Sequence, residues 1–371
     1  MIKKIIYINN IFPLYRKPIW ELLLKEKNYN FNIYYSDQEI DEIKTFKFSD
    51  TYPFKNKLHK IKNIFFFKTL IWQNKVLKII LKKNFEVAIF MGDMTIISTW
   101  IGALICRIFK KKVVFWGHGL YGNESVFKKY FRIIFLKLAD INLTYENRSK
   151  KLLIKSGFKE NNIKVIYNSL DYDKQLKLFN RLENDNKKRT VFKKNKLPIV
   201  VFIGRLYPKK KIEILVETIY KINKKKSKVN FLIVGDGPEK NNLELLCSKL
   251  LKKENYFFYG KTFDELELSN LLYHSSLCVS PGNIGLTAIH SLSYGTPVAS
   301  HDNFKYQMPE VESIINGENG FLFKYDDIQD LSEKILIWIN KKINKRIVRK
   351  IIDEKYNPNY QKKIIDSIIR K

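Results

Sequence analysis

Two segments of the chain combine cations, glycines and an element boundary in a way that suits a phosphorylated ligand. In the first, an apolar run, Val201-Phe202-Ile203, ends in Gly204, Arg205 and Leu206, and Lys210 follows four residues later. A guanidinium at the end of a buried strand can hold two phosphate oxygens with its rigid fork, and an ammonium a turn away adds a point charge. The second reads Ser280-Pro281-Gly282-Asn283-Ile284-Gly285-Leu286-Thr287-Ala288-Ile289-His290, a strand that turns through two glycines into a short helix. There the N–H groups of Gly285, Leu286 and Thr287 would point outward from the positive end of the helix dipole, and small residues let a diphosphate approach the backbone. The expected site is an anion pocket shared by Arg205, Lys210 and the Gly285 turn. Taken singly, each segment also fits a solvated basic loop or ordinary packing.

These groups need a scaffold, and the hydrophobic periodicity supplies one. Short β-branched or aromatic runs alternate with longer helical segments along the whole chain, which argues for parallel sheets with helical crossovers. The expected strands in the first half are Ile2–Ile8, Phe31–Tyr35, Val87–Met91, Lys112–Trp116, Ile141–Tyr145 and Lys164–Tyr167. Those of the second half are Ile199–Ile203, Val229–Val234, Tyr256–Tyr259, Leu277–Ser280, Pro297–Ser300 and Gly320–Phe323. Thr262 and Glu265 read as a capping box before Leu266, and Gly295 as the stop of the helix beginning near Leu286. The stretch NRLENDNKKRTVFKKNKLP is charged, Asn-rich and closed by Pro198, as a linker would be. The expected organisation is an α/β chain of two Rossmann-like doubly wound domains facing a cleft: residues 1–172, a linker over 173–197, residues 198–350, and a C-terminal helix over 351–371 that packs back on the first domain.

With 371 residues, the chain has room for two domains, each with its own core. It carries 68 Lys plus Arg against 37 Asp plus Glu, a formal charge of +31, so its partners are expected to be anionic, although a solvated Lys-rich surface would give the same excess. Nucleic acid is not the expected partner: Lys dominates over Arg, aromatics do not interleave with the basic runs, and no recognition module appears. Cys106, Cys247 and Cys278 are far apart without C-x-x-C spacing, which argues against a zinc site or disulfide framework and for a reducing, cytoplasmic setting. No metal ligation is expected, since His59, His274 and His301 show no ligand spacing. The N-terminal MIKKIIYINNIFPLY is interrupted by Asn9, Asn10 and Pro13 and reads as a first buried strand, while Met94 to Cys106 is too short to span a bilayer.

In order and spacing, five blocks resemble the retaining GT-B glycosyltransferases with the E-x7-E signature, glycosyl transferases group 1. They are Gly204-Arg205-Leu206 with Lys210, Val234 to Glu239, Tyr256 to Thr262, Gly285 to Val298, and Asn316 to Phe323. Asn168-Ser169-Leu170-Asp171 is similar to a segment at that family's domain junction. The chain departs at the signature itself, reading Gly282 and His290 in place of the two glutamates, in a variant block SPGN-x-GLTAIHSL. It departs again after the first strand, where Phe12-Pro13-Leu14-Tyr15-Arg16-Lys17-Pro18 stands in place of a Gly-Gly pair.

The resemblance implies sugar transfer, with retention and without a metal or cofactor, from a nucleotide-diphosphate sugar to a lipid-linked or growing glycan acceptor. The setting would be synthesis of a bacterial surface polysaccharide such as lipopolysaccharide or capsule. It implies catalytic roles for His118, Arg205 and Lys210, and donor contacts at Gly204, Tyr259, Gly260, Lys261, Ser280, Gly282, Asn283, Gly285, Leu286, Thr287 and His290. An imidazole at position 290 offers one donor and one acceptor, whereas a carboxylate can grip two adjacent hydroxyls, so ribose recognition would be altered. Arg16 is the candidate for an acceptor phosphate, and Asp93 and Glu124 for acceptor hydroxyls. A peripheral enzyme on the inner face of the cell membrane would meet an anionic surface through Lys341, Lys342, Lys345, Arg346, Arg349 and Lys350. The alternative reading is an inactive nucleotide-binding or partner subunit of the same fold.

Overall fold

The computed structural model describes residues 2–38, 43–67, 69–185, 191–192, 196–226 and 228–370. The chain divides into two compact units, Met1–Asp171 with Pro358–Lys371, and Tyr172–Asn357. The first contains β1 (Lys3–Ile8), α1 (Lys17–Lys25), β2 (Tyr29–Tyr35), β3 (Leu58–Lys60), β4 (Asn63–Phe66), β5 (Leu70–Gln73), α2 (Val76–Leu81), β6 (Val87–Met91), α3 (Ile97–Ile108), β7 (Lys112–Gly117), α4 (Val126–Leu136), β8 (Ile141–Thr144), α5 (Asn147–Lys155) and β9 (Ile163–Val165). The second contains α6 (Tyr172–Glu183), β10 (Ile199–Ile203), α7 (Ile212–Asn223), β11 (Asn230–Val234), α8 (Lys240–Leu250), β12 (Tyr256–Gly260), α9 (Glu265–Tyr273), β13 (Leu277–Ser280), α10 (Leu286–Ser293), β14 (Val298–His301), β15 (Gly320–Phe323), α11 (Ile328–Ile339) and α12 (Lys345–Glu354). The chain then returns to the first unit as α13 (Pro358–Arg370).

Each unit is built on one fully parallel sheet, ordered β3-β2-β1-β6-β7-β8-β9 in the first and β12-β11-β10-β13-β14-β15 in the second. Central strands such as Ile199-Val200-Val201-Phe202 and Val87-Ala88-Ile89-Phe90 are apolar throughout because helices cover both faces of the sheet. In the first unit α1 and α13 pack on one face around Tyr7, Trp20 and Trp116, while α2, α3, α4 and α5 cover the other around Phe90 and Phe115. Strand order reverses between β1 and β6, and again between β10 and β13. Those reversal points, at the carboxyl ends of the strands, are where open α/β sheets bind ligands.

Twelve expected strands lie where the periodicity puts them, within a residue or two at each end. Strand β3 and the β4–β5 hairpin were not expected, because Asn63 to Gln73 is one apolar run with no Gly, Pro or Asn-Gly turn to divide it. Phe67, with φ 48°, makes that turn in a backbone region bulky residues rarely enter. The expected linker over 173–197 is corrected: it begins with α6, an amphipathic helix burying Gln175, Phe179 and Leu182 at i, i+4 and i+7. Residues 186–190 and 193–195 of that linker lie outside the described residues. The single C-terminal helix expected over 351–371 is two helices, since Asn357-Pro358 breaks the run. Of these, α12 stays with the second unit, and α13 buries Ile365, Ile368 and Ile369 in the first. The expected capping box is corrected too: the α9 cap is Asp264, whose Oδ1 accepts from the Leu266 and Glu267 amides. Glu265 is thereby released for another use.

Candidate active site

In the second unit the turns after β10 and β13, on adjacent strands at the reversal point, are stitched together. The Gly282 amide donates to the Lys210 carbonyl at 2.9 Å, Lys210 Nζ donates to the Asn283 carbonyl at 2.7 Å, and Thr287 Oγ1 donates to the Ile203 carbonyl at 3.2 Å. Gly282 is required by this contact. A Cβ there would stand 2.1 Å from the Lys209 carbonyl oxygen and 2.7 Å from Lys210 Cα, so no glutamate fits where the signature has one. Gly285 caps α10 without a side chain over the helix N-terminus, leaving the first-turn amides to the dipole and to water.

Arg205 is exposed beside this junction, its guanidinium 5.4 Å from the Tyr207 ring centroid. Lys210 is more enclosed. Burial pulls its ammonium down to about 8, Lys209 and Arg205 push the same way, and Glu310 opposes them. Lys210, Arg205 and the α10 N-terminus thus converge on one end of the β10–β13 seam, which suits an anion carrying more than one charge.

Sequence reasoning missed Glu310 and Glu265. Glu310 is buried, on the short turn Pro309–Ser313, and its Oε2 lies 4.0 Å from where a Cβ on Gly285 would be. Gln307 fixes this loop by accepting from the Ile284 amide at 2.9 Å and donating to Ser300 Oγ at 2.8 Å and the His301 carbonyl at 2.9 Å. The readable signal was a polar run, His301 to Glu310, at the carboxyl end of a strand. Glu265 Oε1 receives His290 Nε2 at 2.9 Å, Tyr294 OH at 2.6 Å and Gln175 Nε2 at 3.1 Å. Burial alone would raise this carboxyl, yet hydrogen bonds from His290, Tyr294 and Gln175 hold it down to about 2. No local sequence signal joins residues 265 and 290; the pairing comes from packing.

The other expected donor residues are placed as follows. Gly204 leads from β10, with its amide on the Val234 carbonyl at 3.0 Å, and Ser280 is buried, its carbonyl accepting from Ser300 Oγ at 2.9 Å. Tyr259 and Gly260 end the edge strand β12, which β11 separates from β10, and Lys261 follows it. Lys261 there rests on the Phe263 ring at 5.2 Å.

In the first unit the reversal point lies between β1 and β6. Arg16, after β1, is buried; its guanidinium donates to Tyr145 OH and to Asn168 Oδ1 at 3.4 Å, and sits 5.3 Å from the Trp116 ring. His118, after β7, lies tilted against Tyr121 at 5.3 Å and meets Tyr145 edge-on at 5.0 Å. Burial, reinforced by Arg16, lowers it to about 4, so the ring is neutral near neutral pH. Its Nδ1 is buried with no hydrogen-bond partner among the described residues. Asp93 spends Oδ1 on the Thr95 amide and hydroxyl, at 3.0 and 2.9 Å. Glu124 is committed to its own loop: it accepts from the Tyr121 and Gly122 amides at 2.8 and 2.7 Å and faces Arg132 Nε at 3.5 Å. That leaves it poorly suited to the acceptor role the sequence suggested.

In the basic stretch from Lys341 to Lys350 several cations have partners within the second unit. Arg349 is buried and bonded to the Ser293 carbonyl and Asp353, and Arg346 is forked onto Glu183. Lys345 lies over the Tyr273 ring and Lys350 faces Glu354 at 3.8 Å. Lys345 and Arg349 are thus tied into the second unit and Arg346 is paired, whereas Lys341, Lys342 and Lys350 remain exposed.

Two parallel α/β units with ligand-side turns of this kind define the GT-B architecture. Residues 183–355, nearly all of the second unit, match the family model Glycosyl transferases group 1. An uncharacterized glycosyltransferase of Methanocaldococcus jannaschii is 29% identical over 375 aligned positions, covering 92% of this chain and 88% of that protein. Among solved structures, a lipopolysaccharide outer core galactosyltransferase, WaaB, superposes with a TM-score of 0.69 at 16% identity, covering 99% of both chains. Anabaena HepE in complex with UDP and glucose superposes with a TM-score of 0.65 at 16% identity over the full length of both. The structural likenesses establish the fold, and the family match lies within the second unit. Among the described residues no helix is long and apolar enough to cross a membrane.

Proposed function

We propose that the protein is a retaining glycosyltransferase that moves a sugar from a nucleotide-diphosphate donor to a lipid-linked or growing glycan acceptor. The observation that carries this reading is the Lys210–Asn283 junction across β10 and β13, which gathers Lys210, Arg205 and the α10 N-terminus at one end of the sheet. The acceptor hydroxyl oxygen bonds to the anomeric carbon on the face from which the diphosphate leaves. The carbon–oxygen bond to phosphate breaks with its electron pair going to the diphosphate, and the acceptor proton passes to a phosphate oxygen of the departing group. Arg205, Lys210 and the Gly285–Thr287 amides meet the charge that develops, each well-aimed donor contributing about 3–4 kcal/mol. The scheme needs no metal ion. Glu310, an acceptor-only group beside Gly285, would receive sugar hydroxyls, while Arg16 and neutral His118 would address the acceptor side. HepE, which shares the fold, is seen with UDP and glucose, and a UDP-sugar is the first donor to test.

The test is a panel of UDP-, GDP- and CMP-activated sugars, screened for binding and turnover, with the product's anomeric configuration read by NMR. Arg205→Ala and Lys210→Ala should each lower donor turnover about a hundredfold or more. Wild-type rates in both would remove the charge-stabilisation scheme. A second reading, a nucleotide-binding subunit without turnover, is favoured by the steric exclusion of a carboxylate at Gly282. Tight nucleotide binding with neither transfer nor donor hydrolysis would establish it.

A further inference from the structure

We propose that the β4–β5 hairpin, α3 and α4 of the first unit form a docking face for an anionic lipid bilayer. The inference deepens the lipid-linked acceptor reading and rests on it.

Helix α4 is the clearest sign. Of its eleven residues only Arg132, Phe135 and Leu136 are buried, and the water-facing positions include Val126 at 86% exposure, Phe127 at 78%, Tyr130 at 62%, and Phe131. A helix that merely covers a sheet places charge on that side. Helix α3 lies alongside, with Trp100 5.0 Å from Phe135 and Arg107 Nη1 donating to the Leu138 carbonyl at 3.2 Å. It exposes Ile101, Leu104 and Ile108 at i, i+3 and i+7, one continuous stripe. The hairpin flanks α3, tied to it through the Gln73 amide on Ser98 Oγ at 3.1 Å, and exposes Phe65, Phe66 and, at its tip, Phe67 at 90%.

The charge on these elements has one sign. Neither residues 63–73, 97–110 nor 126–138 contain a single Asp or Glu, whereas Arg107, Lys110, Lys128, Lys129 and Lys137 are exposed. Aromatic and aliphatic side chains interleaved with lysines match the boundary of an anionic membrane, where rings enter the headgroup layer and ammonium groups meet phosphates. A second copy fits poorly, because a face-to-face pair would bring the same lysines together. Nucleic acid fits poorly as well, because Ile101, Leu104, Ile108 and Val126 offer it neither stacking nor hydrogen bonds.

The test is flotation of the full chain with vesicles of phosphatidylcholine alone or with phosphatidylglycerol added. Recovery should be about tenfold higher with the anionic vesicles and fall with added salt. It should drop to the neutral-vesicle level in Phe127→Ser/Tyr130→Ser and in Lys128→Gln/Lys129→Gln. The lysine pair is fully solvent-facing, and an unchanged melting temperature separates lost docking from lost folding. Equal recovery from both vesicle types, or variants that float like the wild type, would overturn the proposal. So would a dimer that the aromatic substitutions dissociate, or RNA retention that they abolish while vesicle binding persists. Transfer to a water-soluble acceptor reports on the enzyme reading separately: it persists in both variants if only docking is affected.

Discussion

His290 Nε2 lies 2.9 Å from Glu265 Oε1, and the same oxygen receives Tyr294 OH and Gln175 Nε2. An ionised carboxylate can only accept, so Nε2 carries the proton shared with Glu265, and Nδ1 is the ring nitrogen left for a ligand. The carboxylate at position 265 thus fixes the tautomer of the residue that stands where the group 1 signature has its second glutamate. A ligand hydroxyl meeting His290 would do so at Nδ1.

Ribose recognition by Nδ1 involves one hydrogen bond, typically worth about 0.5–1.5 kcal/mol. A nucleotide diphosphate should therefore bind about three- to tenfold more tightly than its 2′-deoxy analogue, and His290→Ala should erase the difference. Calorimetry on both ligands decides it: equal losses for the two in His290→Ala would exclude the 2′-hydroxyl contact.

Removing Glu265 should cost stability, since three buried donors lose their acceptor. We expect Glu265→Ala to be destabilised by about 1–3 kcal/mol at neutral pH. Because the folded carboxyl titrates near 2 and an unperturbed one near ~4.3, its contribution is present above the unperturbed value and fades as pH falls toward 2. Melting temperatures of wild type and Glu265→Gln should accordingly converge in acid. A gap that stays constant down to the acid limit of folding would contradict the assignment.

Lys210 predicts an alkaline limb. With burial holding it near 8, the free enzyme loses this charge as pH rises through that value, and diphosphate affinity should fall by up to about tenfold per pH unit above it. Lys210→Arg should keep the affinity flat over the same range, and Lys210→Met should be weak throughout. The dissociation constant of UDP as a function of pH is the measurement.

Restoring the signature should fail. Gly282→Glu and Gly282→Ala both push a Cβ into the Lys209–Lys210 backbone, and overpacking of this kind costs about 1–3 kcal/mol or more. Both variants should melt lower than the wild type and lose donor binding together. A stable, more active Gly282→Glu enzyme would show that the two turns are not packed as described.

Arg16 is a buried cation whose hydrogen-bond partners, Tyr145 and Asn168, are neutral. If an anionic acceptor group completes its surroundings, Arg16→Met should fold with little loss of stability while acceptor kcat/KM drops about tenfold or more. Donor affinity, set in the second unit, should not change. Equal loss for charged and uncharged acceptor analogues would count against an anion at this position.

Much of the scaffold was legible because parallel strands buried on both faces write uninterrupted apolar runs, as in Ile199–Ile203 and Val87–Met91. The turns after β10 and β13 were legible as turns because Gly204 and Gly282 interrupt the apolar runs before them. What could not be read depends on tertiary partners. Glu265 looked like a capping residue because Thr262 stands three positions before it, but Asp264 supplies the cap and Glu265 meets His290 where α9 and α10 both pack on α6. Lys345, Arg346 and Arg349 looked like a solvent-facing cationic run until Tyr273, Glu183 and the Ser293 carbonyl appeared beside them. Phe67 hid a hairpin by occupying a turn with an atypical residue.

The return of α13 to the first unit bears on biogenesis. Residues 172–357 are contiguous and can complete their sheet and helices as soon as Asn357 leaves the ribosome, whereas the earlier-made half waits for the later-made α13 to cover Tyr29 and Trp20. Synthesis therefore runs opposite to completion. Nascent chains stalled after Asn357 should show a protease-resistant second half and a first half still open to cleavage, and extending them through Arg370 should close it.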